Sequence, residues 1–339
     1  MKTRAHGSAF HVAAVMPLPW PMQDALHPAG AQADGIGALW NLTLVLCAAV
    51  FLAIVAATAV ALLRAPRASR DSPADLDALD RPEPAIRRNV GIAVAVSAVP
   101  LVGLILADTL TDRRLSRLPL TDAVTIDLTG HMWWWEATYT DAEPARRFTT
   151  ANELHVPVGR PVIVTLGSAD VIHSFWAPNL HGKKDLLPGR TATIRFRVDR
   201  PGTYRGQCAE FCGLEHALMS FIVQADAPDR YADWAQAQRA AAPAPRSPAE
   251  ERGRQVFLSR TCVMCHAIQG TSAGAVLGPD LTHVAGRAML ASGVLPNDRA
   301  HLAAWILDPQ AVKPGANMPP TRLAPDELDD LLSYLAILK

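Results

Sequence analysis

Charge is absent from two long stretches of this 339-residue chain, Gly35 to Leu63 and Asn89 to Ala107. Each is apolar on all faces and reaches the roughly 20 residues needed to cross about 30 Å of hydrocarbon. The alternative, a pair of buried core helices, has to accommodate runs that soluble domains rarely carry. Neither stretch holds a carboxylate or a histidine, so a proton relay inside these spans is excluded and the segments read as anchors. Aromatic residues are scarce, at 6%, although half the chain is apolar, so the excess is aliphatic. Net charge is also missing: 32 basic residues balance 32 acidic ones. There is no basic stripe to neutralise phosphates and no phosphate-cradling glycine loop of the Walker type, so nothing in the sequence points to nucleic acid.

What is present divides the chain. The segment between the apolar runs carries Arg64, Arg67, Arg70, Arg81, Arg87 and Arg88, and short arginine-rich loops stay cytoplasmic. A transmembrane hairpin over about 37–63 and 89–107 follows, with both termini on the outer side. Residues 1–36 form an N-terminal extracytoplasmic segment. There, Lys2 and Arg4 precede a weakly apolar stretch, and Ala31-Gln32-Ala33 resembles a signal-peptidase site, while Pro17, Pro19 and Pro21 interrupt the apolar core.

From 108 to 239 period-two alternation dominates. Ala192, Ile194, Phe196 and Val198 share one strand face, as do Val162, Val164 and Leu166, and Val124, Ile126 and Leu128. Punctuated by Pro161, Gly189 and Pro201-Gly202, these strands predict a β-sandwich, closed by a helix over Asp229 to Ala240. An Ala/Pro linker, 240–248, spans about 25 Å if extended at about 3.1 Å per residue. From 249 to 339 the spacing of Leu328, Leu331, Leu332, Leu335 and Leu338 behind Pro325 is helical.

Four of the five cysteines fall into two motifs. Cys262-Val-Met-Cys265-His266 offers two thiols that can add to haem vinyl groups and an imidazole for the iron. On a helix, both sulfurs would reach one porphyrin edge. The alternatives are a disulfide or a chance match. Met318, in Asn317-Met318-Pro319-Pro320, suits the opposite axial position; a His/Met pair raises the potential and favours electron transfer over oxygen binding. Met289 is the rival ligand, in a helix-like apolar setting. Gly278-Pro279-Asp280-Leu281 and Gly286-Arg287 resemble the haem-lining loop of class I cytochromes c, over about Arg246 to Lys339.

Cys208, Cys212, His216 and Met219 lie on one short loop. Thiolates, imidazole and a weak thioether select copper for electron transfer, and a second cysteine lets two sulfurs bridge two copper ions. A second imidazole is then required, and His173 is the best candidate. A Cys208–Cys212 disulfide or a zinc site are the alternatives; zinc gives no reason for Met219 and a disulfide none for His216. His155, His181, His283 and His301 receive no role.

On these motifs the chain resembles subunit II of the haem–copper cytochrome c oxidases, in the version with a fused cytochrome c domain. The resemblance spans roughly Gly37 to the C-terminus. It implies a multidomain fold: a transmembrane hairpin, a cupredoxin-like sandwich with a binuclear CuA centre, and an all-α class I cytochrome c domain. It implies that Cys208 and Cys212 bridge the coppers, that His173 and His216 each hold one, that Met219 is a weak ligand, and that Glu210 supplies its backbone carbonyl. The Glu210 carboxylate would then face a magnesium ion shared with subunit I. Gly130-His131-Met132-Trp133-Trp134-Trp135-Glu136 is similar to the family's aromatic strand, with Trp133 the residue where electrons enter. The family has glutamine where this chain has Met132, which puts a supporting contact in doubt. Trp134 should point opposite to Trp133 and Trp135, with core packing favoured for Trp134 and Trp135. Asp170 and Asp185 also fit family positions.

The implied function is an electron-input subunit of a terminal oxidase in the bacterial inner membrane, with both redox domains on the periplasmic side. Subunits I and III are the implied partners, a soluble cytochrome c is a candidate donor, and oxygen reduction with proton translocation falls to subunit I. The tether would raise the effective concentration of donor at acceptor to about the millimolar range. The alternatives are an input subunit for a nitric oxide reductase-type complex and a copper carrier or sensor without turnover.

Overall fold

The computed structural model describes residues 23–65, 73, 76 and 84–339. Residues 1–22 and most of the arginine-rich loop, including Arg67, Arg70 and Arg81, lie outside them. The apolar runs form α1 (Ala31–Arg64) and α2 (Pro84–Leu115). Both extend past the apolar runs. At about 1.5 Å per residue α1 is roughly 50 Å long, more than a hydrocarbon core requires. No part of either apolar window is buried against the protein. They are therefore not core helices, and by length and composition both can cross a membrane. The pair is antiparallel, with Gly35 near the start of α1 against Leu115 and Thr111 at the end of α2.

The first turn of α1 is fixed to the sandwich. Gln32 and Ala33 are buried; the Gln32 Oε1 accepts from the Arg197 backbone N–H at 3.1 Å, and Ala33 N–H donates to Leu180 O at 3.2 Å. Ala31-Gln32-Ala33, which resembles a cleavage site in sequence, is thus part of this packed joint.

Two five-stranded sheets follow, in the orders β3-β2-β1-β5-β8 and β4-β10-β9-β6-β7. The first contains β1 (Val124–His131), β2 (Trp134–Thr140), β3 (Phe148–Ala151), β5 (Pro161–Ser168) and β8 (Ala192–Arg197). The second contains β4 (Glu153–Pro157), β6 (His173–Trp176), β7 (Lys184–Leu186), β9 (Gly202–Cys208) and β10 (Ser220–Asp226). Pairing is mixed: β1 runs antiparallel to β2 and parallel to β5, and β10 antiparallel to β9 and parallel to β4. Ile126, Leu128, Val162, Val164, Leu166, Ile194 and Phe196 are all buried between the sheets. Alternation of apolar and polar residues puts them there, because every second side chain points to the same face.

Helix α3 (Pro228–Ala237) packs Trp234 against Tyr139, Phe148 and His155. The C-terminal domain is built on α4 (Pro248–Ser259) and α7 (Pro325–Ile337), with β11 (Met289–Leu290), β12 (Leu295–Pro296), α5 (Arg299–Leu307) and α6 (Pro309–Val312) between them. A capping box of Ser247 and Glu250 starts α4. Gly253 lets α7 approach closely: a Cβ there would sit 2.0 Å from Asp330 O. Phe257, Leu331, Leu332 and Leu335 fill the core beneath. The Ala/Pro linker is held by this domain, with Ala242 N–H donating to Gln269 O at 3.0 Å and Ala240 O facing His283 Nε2 at 3.1 Å.

Candidate metal centre and haem site

Strand pairing creates the first site. β6 and β9 are antiparallel, with Phe175 opposite Cys208, so His173 at the start of β6 and Cys208 at the end of β9 meet at one end of the sheet. The chain then loops through Cys212 and a short 3₁₀ turn, His216–Leu218, before β10. A bond from Cys208 N–H to Met219 O, 2.9 Å, closes the base of that loop. The loop is short and pinned at both ends, so its donor atoms have few ways to disperse.

They converge. His173 Nδ1 lies 3.9 Å from Cys208 Sγ, His216 Nδ1 lies 3.6 Å from Cys212 Sγ, and Met219 Sδ lies 3.8 Å from Cys212 Sγ. Glu210 contributes its backbone carbonyl, 3.1 Å from Cys208 Sγ. His173, Cys208, Cys212 and Met219 are buried. Among the described residues, His173, Cys208 and Cys212 form the one cluster of three side chains placed to hold a metal ion. Both cysteines are free thiols in this structure. The Cys212 thiol bonds to the Cys208 sulfur, and with His173 and backbone N–H groups it drives the Cys208 thiol well below its usual range; Cys212 is raised in turn. Such a soft, acid-prone donor set with a thioether beside it fits copper.

Asp170 organises the periphery. Its carboxylate receives the His173 Nε2–H at 2.8 Å, leaving Nδ1 for a metal, and also accepts from Met132 N–H at 2.6 Å and Val171 N–H at 2.6 Å. Partial burial works against ionisation of Asp170, but these bonds hold its pKa below the ordinary value. Desolvation similarly opposes charge on His173, yet bonds to Cys208 and Asp170 raise its pKa. Gly130 makes room for the ring: a Cβ there would meet His173 Cδ2 at 2.8 Å. Asp185, the other acidic position singled out, accepts from Ser174 Oγ at 2.8 Å.

Trp133 sits against the ligand loop. Its Nε1–H donates to Cys212 O at 2.9 Å, and the indole lies on Gly213. It occupies the turn between β1 and β2, so the aromatic strand expected from sequence is broken at Met132 and Trp133. Trp135 is core, while Trp134 is only half-buried and stacks on His131, with centroids 4.3 Å apart. Core packing therefore holds for Trp135 and not for Trp134; two residues of turn reset the alternation.

The second site lies in the helical domain. Cys262 and Cys265 are free thiols, but Cys262 sits on a 3₁₀ turn, Thr261–Met264, that follows α4 and Cys265 ends that turn, so neither is on the expected helix. His266 N–H bonds to Cys262 O at 3.0 Å, and its Nδ1 pairs with Pro279 O at 2.7 Å, which leaves Nε2 for iron. Burial, with Arg287 nearby, holds the His266 imidazole below its ordinary pKa and so neutral, the form a metal takes. A Cβ at Gly278 would fall 2.8 Å from His266 Cε1, so glycine is what lets the loop pass the ring. Half-buried Arg287 has a buried Nε without a partner, and Met264, Val276 and Leu277 near the motif are exposed. An anionic, largely apolar macrocycle suits both features. Met318 is half-buried against the domain core, its carbonyl 3.4 Å from Gln310 Nε2. Met289, the rival, is buried in β11, an extended strand where a helix-like setting was expected.

The two sites adjoin through contacts that sequence reasoning missed. Ser292 Oγ and Lys313 Nζ of the helical domain both donate to Trp133 O, at 2.8 and 3.0 Å, and Asn317 Nδ2 donates to Met132 O at 2.9 Å. Ala288 N–H donates to Glu153 Oε2 at 2.8 Å. No sequence signal marks these residues, since a lone lysine or asparagine in a loop reads as solvated surface.

Comparison with known proteins agrees with this architecture. Residues 124–226 match the family model described as cytochrome c oxidase subunit II, periplasmic domain, and residues 250–339 match that of cytochrome c. Cytochrome c oxidase subunit 2 of Alkalihalophilus pseudofirmus is 33% identical over 324 residues, covering 93% of this chain and 90% of the relative. The chain belongs to the cytochrome c oxidase subunit 2 family. The subunit 2 of Bacillus subtilis is 30% identical over 73% of this chain and 71% of its own length. A crystal structure of the periplasmic domain of subunit II of cytochrome oxidase from Bradyrhizobium japonicum is 30% identical, covers 34% of this chain and 93% of that one, and has a TM-score of 0.33. As a member of the subunit 2 family with a cytochrome c domain, the chain is part of an oxidoreductase complex and associates with other oxidase subunits in a membrane.

Proposed function

We propose that this chain is the electron-input subunit of a haem–copper terminal oxidase, taking electrons into its C-terminal domain and delivering them through the thiolate loop to subunit I. When bound, a haem c and a binuclear copper centre supply one-electron redox chemistry at the two sites. Cys262 and Cys265 would attach the haem, with His266 and Met318 its axial pair. Cys208, Cys212, His173, His216, Met219 and the Glu210 carbonyl would hold the copper. Asp170 keeps His173 in the tautomer that offers Nδ1, and the pinned loop keeps the donors from rearranging as charge changes. Trp133 joins the ligand loop to the helical domain. The observation that carries this reading is the convergence of two free thiols, two imidazole nitrogens, a thioether and a carbonyl at one end of the sandwich.

Subunits I and III are the partners, and oxygen reduction with proton translocation belongs to subunit I. A magnesium ion at the Glu210 carboxylate would draw its remaining ligands from there. The hairpin sets the chain in the bacterial inner membrane, with the redox domains on the periplasmic side. Metal analysis of the full chain, with its paramagnetic resonance spectrum, tests the assignment. Two coppers sharing one unpaired electron and one covalent haem are expected. One copper with ordinary hyperfine structure overturns it.

A further inference from the structure

The turn between β1 and β2 has an unusual set of partners. Both of its peptide carbonyls, Met132 O and Trp133 O, are taken by side chains of the helical domain, while Met132 N–H is taken by Asp170. Lys313, just past α6, is 3% exposed, with its ammonium on Trp133 O at 3.0 Å. Burying an ammonium is unfavourable unless its partners stay in place. The bond to Trp133 O is what offsets that cost while the joint is closed. Burial pulls the Lys313 pKa down to about 8, and the negative charge of Glu215 on the ligand loop, itself 3% exposed, opposes that only in part. Gly315 lies against Leu214 of that same loop. Asn317 completes the contact, and the next residue in the chain is Met318. From Met318 to the Trp133 indole the connection is a short covalent run with one hydrogen bond, and from the indole a second hydrogen bond reaches Cys212 O.

We propose that Lys313 and Asn317 are positioning residues that clamp the helical domain, by its Met318 side, onto the Met132–Trp133 turn, so that this domain and not a soluble protein occupies the approach to Trp133. The inference rests on the electron-input reading above. One electron would pass from the haem that Cys262 and Cys265 would hold, leaving it oxidised, to the copper that the Cys208–Met219 loop would hold, leaving it reduced; no proton or atom moves. An external donor must then dock on the helical domain. Ser292 adds a third bond to the clamp, but its position beside the Ser220 contact makes it also a packing residue.

The test uses the full chain in its assembled complex, with Lys313→Met, Lys313→Arg and the exposed Asn317→Ala. Hydrogen exchange reads docking, and rapid mixing reads transfer. Losing a charge-assisted bond to a buried carbonyl should open the joint by about tenfold. Exchange in peptides covering 129–136 and 311–319 should rise accordingly in Lys313→Met, with a smaller rise in Asn317→Ala. Reduction of the haem domain should keep its rate, transfer onward to the copper site should slow by about tenfold, and Lys313→Arg should recover most of both readouts. A soluble cytochrome should begin to reduce the copper site directly only in the opened variants. Native exchange and native transfer in both Lys313→Met and Asn317→Ala would overturn the clamp. A wild-type complex whose reduced haem domain never reduces the copper site would instead overturn the electron-input reading, while exchange would still report docking.

Discussion

The Asp170 carboxylate and the His173 imidazole are joined at 2.8 Å through Oδ1 and Nε2, and that bond decides which nitrogen His173 can present to a metal. Asp170 also holds Met132 N–H, so one carboxylate fixes both the ligand ring and the turn bearing Trp133.

Asp170→Asn should therefore weaken metal binding without emptying the site. The amide can accept from His173 Nε2–H only in one orientation, and it lacks the charge that makes the imidazole a better donor. Loss of such an outer partner costs about 10–100-fold in affinity. Copper retention against a graded chelator checks this. Wild-type retention in Asp170→Asn would show that the bond is structural only.

Much of this could be read from the chain, for reasons that differ by element. Val162, Val164 and Leu166 revealed their strand because one sheet face is buried and side chains alternate. The Cys208–Met219 loop was legible because its donors are close in sequence. His173 is remote, but strand pairing brings it there. Trp134 misled because a turn at Met132 and Trp133 interrupts the aromatic strand just before it, and the Cys262–His266 motif because its first residues tighten into a 3₁₀ turn. Met289 lies in a two-residue strand too short for any period to declare. The linker looked like a free spacer, yet Ala240 and Ala242 are bonded to the helical domain. Lys313 and Asn317 were invisible because their meaning depends wholly on which surface faces them.

His155 gives a pH dependence that separates the sandwich from the rest. Its ring lies between Asp226 at 2.7 Å and Glu153 at 3.0 Å and stacks on Trp234. Burial opposes its charge, but the bonds to Asp226 and Glu153 and their negative charges prevail, and its pKa is raised. A folded-state pKa above the unfolded value of about 6.5 adds stability that is complete below about 6.5 and is lost as pH climbs through the raised value. Denaturant midpoints of the wild-type sandwich should fall as pH rises above about 6.5 through that window. His155→Gln should be less stable at low pH and flatter across the same window. Parallel pH profiles for the two proteins would refute the assignment.

Met318→Ala tests the choice between Met318 and Met289. If Met318 is the axial ligand, its loss leaves the sixth position open. The haem potential should drop, and the reduced haem domain should bind carbon monoxide, which the wild type should resist. Met289→Leu should change neither, because Met289 is buried in β11 as packing. The opposite pattern, with Met289→Leu binding carbon monoxide, would move the ligand.

Gly253→Ala should destabilise the helical domain alone. α4 and α7 cross where Gly253 meets Asp330, and a Cβ would stand 2.0 Å from Asp330 O and 2.8 Å from Tyr334 Cβ. Neither neighbour is a flexible side-chain end, so the helices must separate. Arg252 resists that separation, since its guanidinium grips the Asp330 carboxylate at 2.6 and 2.8 Å from the adjacent position. Alanine's better helix propensity offers about 1 kcal/mol in return, whereas overpacking costs typically 1–3 kcal/mol. A net loss of up to about 2 kcal/mol in the helical domain is expected, with the sandwich transition unmoved. Differential scanning calorimetry of the full chain resolves the two transitions. A more stable helical domain in Gly253→Ala would mean that helix propensity, not close approach, governs this position.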